Sequence, residues 1–159
     1  MKRKVAISSI VFVLLLLSAM LGYFYWKNKY KMGPVGIQII EEIDNASTED
    51  CIIDLQSVTD FEWDKVVVVS ADFWAAGYSD ATVSEMWGFP YEVPEGFRSW
   101  LIFLNDNKIV HEESYAEYIE HSSKFNISIQ SAPYYRILTS DVCEVVGGEA
   151  DGHYQICVK

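Results

Sequence analysis

Apolar and polar positions divide this chain into one long apolar run and a series of shorter alternating segments. Val5 to Trp26 holds 22 consecutive uncharged residues, which as a helix would rise about 33 Å, enough to cross a bilayer. The first expectation is therefore a single-pass transmembrane helix over residues 5–26, acting as a signal anchor behind a basic N-terminus of residues 1–4. Tyr23, Phe24, Tyr25 and Trp26 close the run with rings suited to the headgroup level. Lys2, Arg3 and Lys4 followed by Leu17-Ser18-Ala19 also fit a cleaved signal peptide, but the run continues past that site and favours retention. A lipid anchor is disfavoured because the first cysteine is Cys51.

Beyond the run, Gly33, Pro34 and Gly36 interrupt any continuous helix, so residues 27–36 read as a stalk and residues 37–159 as one domain, with folding starting near Val35. Val35, Ile37, Ile39, Ile40 and Ile43 lean toward helical spacing until Asn45-Ala46-Ser47-Thr48 stops it. Later segments alternate as strands. Cys51–Ser57 does so loosely, Lys65–Ser70 carries four consecutive valines suited to a buried strand, and Ser99–Leu104 pairs naturally with Lys108–Tyr115 across Asn105-Asp106-Asn107. Between them Ser79 or Asp80 caps a helix whose Val83, Met86 and Trp87 share a face, and Gly88 ends it. Four more strands follow from Phe125 to Val158. The pattern predicts an α+β domain with a mainly antiparallel sheet and one or two short helices.

Charge narrows the partners. All 23 acidic residues follow Met32 beside only six Lys and Arg, a formal −17, whereas the first 31 residues carry +6. Such a domain does not suit nucleic acid. It suits solvation away from anionic lipid, or a basic partner. The positive residues flanking the apolar run are tied, three before and three after; the α-amine tips the N-terminus inward and the domain outside the cytoplasm, at the cell membrane.

The stretch Thr59-Asp60-Phe61-Glu62-Trp63-Asp64-Lys65-Val66, lying between two strands, resembles the T-D-F-x-W-D-K-V mark of a group of small exported or membrane-attached bacterial proteins of unassigned function. The resemblance runs from Ile53 to about Tyr118, through the helix ending at Gly88-Phe89 and the hairpin Trp100–Leu104 to Lys108–Val110. It implies compartment and fold more than activity. The chain departs from the group after Ser70, where Ala71-Asp72-Phe73-Trp74-Ala75-Ala76-Gly77-Tyr78 replaces a Pro-Tyr-Thr turn.

Within the motif, Phe61 and Trp63 fall on one side of an extended segment and Glu62 and Asp64 on the other. Phe61, Trp63, Asp64 and Lys65 are read as a structural motif that pins a corner of the fold, Asp64 tying down backbone N–H groups. In the departing loop, Phe73, Trp74 and Tyr78 are the candidate partner-binding residues, because aromatic rings with polar tips are favoured at interfaces. Cys143 and Cys157 flank a turn centred on Ala150 and are a candidate disulfide, leaving Cys51 free.

No metal or cofactor is expected. His111-Glu112-Glu113 and Glu120-His121 lack metal-ligand spacing. No nucleophile elbow, phosphate loop or Cys–His signature is present, so no catalytic residue is assigned. The expected function is a membrane-tethered, extracytoplasmic binding or interaction module of the cell envelope. The alternatives are a small envelope hydrolase using carboxylates, and an inhibitor or immunity-type protein with an acidic binding surface.

Overall fold

The computed structural model describes residues 16–22, 32–46, 50–94, 98–116, 125–129, 131–150 and 153–158. The chain divides into two compact units, Met1–Lys31 and Met32–Lys159. In the first, residues 16–22 are helical and exposed. Among the described residues no helix is long and apolar enough to cross a membrane. That overturns the spanning helix expected over residues 5–26; the rest of that run lies outside the described residues.

The second unit is α+β, but among the described residues it has two four-stranded sheets and three short helices instead of one sheet and one or two helices. It opens with helix α1 (Pro34–Asn45), so Met32 to Gly36 belongs to the folded unit and not to a stalk. Pro34 sits in the first turn, where its missing N–H costs nothing. Val35, Ile39 and Ile43 form the buried stripe.

Strands β1 (Asp50–Asp54), β7 (Glu144–Ala150), β8 (His153–Val158) and β5 (Phe125–Ile129) make the first sheet in that order. β5 and β8 run parallel, and the other neighbours run antiparallel. The second sheet is antiparallel throughout, in the order β4 (Lys108–Ala116), β3 (Arg98–Asn105), β2 (Lys65–Val69), β6 (Tyr135–Thr139). Helices α2 (Asp72–Ala75) and α3 (Asp80–Trp87) lie in the connection from β2 to β3.

The valine run explains the layering. A strand sends successive side chains to opposite faces, so Val66 and Val68 enter one core and Val67 and Val69 another. The first core joins Leu101 and Phe103 to Ile53, Ile127, Val145 and Ile156 of the facing sheet and to the α1 stripe. The second joins Ile102 and Leu104 to Phe73, Val83, Trp87, Phe89 and Tyr91. Each fully buried valine contributes about 1.5 to 3 kcal/mol relative to exposure, and β2 supplies four.

Register also decides the cysteines. Ala150 faces His153 and Val146 faces Cys157 across the β7–β8 hairpin. The turn therefore lies further along than Ala150, and Cys143 falls before β7, where its Sγ donates to Asp54 Oδ1 at 3.0 Å and to Ser140 O at 3.3 Å. The expected Cys143–Cys157 disulfide is not formed; Cys51, Cys143 and Cys157 are free thiols. Burial, reinforced by the hydrogen bond to Asp54, pushes the Cys143 thiol up, so it stays protonated near neutrality. Thiol titration of the unfolded, unreduced chain should return three thiols. A mass gain of two hydrogens on reduction would show this assignment to be wrong.

Candidate functional site

The T-D-F-x-W-D-K-V segment folds into one wall of an open cleft of about 420 Å³, lined by Gln56, Thr59, Phe61, Glu62, Trp63 and Asn105. Three short stretches build it. The first is the turn after β1. Asp54 accepts from Gln56 N (2.9 Å) through Oδ1, and its carbonyl accepts from Ser57 N (3.0 Å) and Ser57 Oγ (2.7 Å), so an aspartate locks the turn through its own backbone neighbours. Thr59 continues it: Oγ1 lies 3.2 Å from the carbonyls of Leu55 and Gln56 and accepts from Trp63 Nε1 at 2.9 Å.

The second stretch is the motif itself. Phe61 and Trp63 both set an edge against Phe103, each with ring centroids 5.2 Å apart. They differ in depth: Trp63 is buried, whereas Phe61 is half-buried and lies over His111 at 4.7 Å. Asp64 then ties the motif to its neighbours. Its N–H donates to Leu104 O (2.8 Å), its carbonyl accepts from Ser140 N (3.0 Å) and its Oδ2 from Asp106 N (3.1 Å). Lys65 donates to Asn107 Oδ1 at 2.8 Å.

The third stretch is the β3–β4 turn. Asp106 and Asn107 both have positive φ, 51° and 58°, the pattern of a two-residue hairpin turn that small polar residues tolerate. That turn places Asn105 at the cleft.

Behind Phe61 stands a polar network that crosses the molecule. Alternation along β4 turns His111, Glu113 and Tyr115 to the side facing α1. Glu113, only 5 % exposed, receives Val35 N (2.9 Å) and His111 Nε2 (2.8 Å) on Oε1, and Gly36 N (3.0 Å) and the Tyr115 hydroxyl (2.7 Å) on Oε2. A carboxylate at a helix N-terminus satisfies amides that lack intrahelical partners and meets the positive end of the helix dipole. Burial, then the charge and hydrogen bond of Glu113, hold the Tyr115 hydroxyl well above its usual range, so it stays a donor. The approach needs Gly33, where a β-carbon would collide with the Glu113 carboxyl, and Gly36, where one would press on Tyr115.

Glu112 points to the other face and accepts from the Tyr91 hydroxyl at 3.0 Å. Burial pushes its carboxyl up, against the opposing pull of Tyr91 and His111. Among the described residues no group of three His, Cys, Asp or Glu is placed to hold a metal ion; Glu120 and His121 lie outside them.

The departing loop is not the exposed aromatic patch its sequence suggested. Phe73 is completely buried, stacked on Trp87 at 5.5 Å and met edge-on by Trp74 at 5.0 Å. Trp74 and Tyr78 are half-buried and pack against the same core. The reason is α2, a single turn that carries Phe73 beneath α3. Sequence reasoning missed the Glu113 network, although its signal was present as the i, i+2, i+4 spacing of three hydrogen-bonding residues on one strand face.

No protein family, curated protein or solved structure matches the chain.

Proposed function

We propose that the folded unit is a binding module of the cell envelope and that its ligand site is the cleft of Phe61 and Trp63. The observation carrying this reading is the chemistry of the cleft wall: two aromatic rings, amide groups from Gln56 and Asn105, and one carboxylate, Glu62. The open cleft, about 420 Å³, falls within the usual volume range for small-ligand sites. General acid–base hydrolysis would ask for two carboxyls directed at one bond. Glu62 is the single carboxylate among the described lining residues, and Glu113 is buried with four donors upon it. Binding is therefore supported over the carboxylate hydrolase. The acidic character of the chain after Met32, which suits a surface held off anionic lipid, supports an envelope setting.

The half-buried Phe61 gives the test. Full-length protein screened by NMR against a fragment set of sugars, amino-acid amides and amines should show saturable shifts at Phe61, Trp63 and Asn105. Phe61→Ala should weaken any such ligand by about tenfold or more, the order expected when a ring anchor is truncated. Ligands that perturb only other surfaces, or that bind the variant equally well, would reject the cleft as the site.

A further inference from the structure

The strongest chemical feature of the cleft beyond its shape is an imbalance of charge at an aromatic surface, and from it we infer the ligand class. The cleft takes a guanidinium group, presented by an arginine side chain of a basic peptide segment. This deepens the binding-module reading and rests on it.

Four observations converge. Phe61, half-buried over His111, and the buried Trp63 line the cleft with the parts of their rings left uncovered, and aromatic rings attract planar cations, arginine more often than lysine. Glu62 stands on the lining and is exposed, leaving both oxygens for the paired N–H groups of a guanidinium. Gln56 and Asn105 add side-chain carbonyls as neutral acceptors on the same lining. Finally, the segments that form the walls carry Asp54, Asp60, Glu62, Asp64 and Asp106 against Lys65 and Lys108, and the Lys65 ammonium is engaged by Asn107.

One of these carboxylates is only half satisfied, its Oδ2 accepting from Asp106 N. Asp64 Oδ1 is buried without a hydrogen-bond partner among the described residues, one position from Trp63 and across the hairpin contact that positions Asn105. A buried carboxylate oxygen left unpaired is costly, and a cation arriving at the neighbouring cleft would offset its field. An anionic ligand would meet the opposite: repulsion from Glu62 and no lining cation among the described residues. The wider charge of the unit, −17 after Met32, would steer a basic segment toward it.

The experiment titrates the full-length chain with acetyl-Gly-Arg-Gly-amide, with the citrulline peptide of the same shape and no charge, and with agmatine, following tryptophan emission and NMR shifts at low and near-physiological salt. The arginine peptide should bind saturably, about tenfold more tightly than the citrulline peptide and more weakly as salt rises. Glu62→Gln, a surface change without expected cost to the fold, should weaken arginine binding several-fold and leave citrulline binding alone. Equal binding of the two peptides, with both lost in Phe61→Ala, would overturn the cationic class while leaving the cleft as the site. Binding that survives Phe61→Ala would reject the cleft itself. Agmatine binding as tightly as the peptide would replace the peptide source with a free small cation, and no binding by any of the three would overturn the inference outright.

Discussion

Glu113→Ala should lower the unfolding free energy by about 3 to 5 kcal/mol, the range for removing one partner from a buried charged cluster. The loss comes from what remains behind. Val35 N, Gly36 N and the Tyr115 hydroxyl all direct protons at this carboxylate, and a buried donor left without an acceptor costs about 1 to 3 kcal/mol. His111 is partly exposed and recovers some hydration, so it adds less. Glu113→Gln keeps the shape and one acceptor oxygen but turns an amide toward two donors, and should cost about 2 kcal/mol. Urea unfolding followed by circular dichroism measures both, and hydrogen exchange at Val35 and Gly36 should rise before the strands are affected. A Glu113→Ala protein as stable as the parent would show that the first turn of α1 does not depend on this carboxylate.

Phe73→Ala should be comparably damaging, about 3 to 5 kcal/mol, because a fully buried ring leaves a cavity that its neighbours fill only in part. The neighbours here are other rings: Trp87 stacked at 5.5 Å, Tyr78 at 5.0 Å and Tyr135 edge-on at 5.6 Å. Trp74→Ala should cost less, about 1 to 3 kcal/mol, since Trp74 is half-buried and lies over Phe73, Trp87 and Trp100 instead of among them. The ordering is the test. If Trp74→Ala proved the more destabilising, the packing of this core around Phe73 would be wrong; if both were neutral, the loop would be the free recognition surface that its sequence first suggested.

Several elements were legible because their causes are local. Ser79 caps α3 by accepting from Thr82 N at 3.3 Å, and Gly88 ends it at φ 79°; both signals lie within the few residues they govern. The β3–β4 hairpin likewise follows from Asn105-Asp106-Asn107 and the alternation on either side. Four valines in a row announced a strand covered on both faces, and both covers are present. The apolar run of residues 5–26 shows how such local reading can overreach, since its length in sequence did not become a spanning helix among the described residues.

By itself, then, the sequence determined the approximate places of α1, α3 and most of the strands, which strand is buried on both faces, and the acidic character of the unit, because periodicity, capping and charge act over a few residues or none; it did not reveal α2. Only the tertiary structure decided which side chains meet. Glu113 reaches α1 across 78 and 77 positions of chain, Cys157 faces Val146 and not Cys143, and Phe61 and Trp63 join Asn105 in one cleft. Those meetings depend on strand order and on register, where a slip of one residue would turn every side chain of a strand to its other face, and no local pattern carries that information.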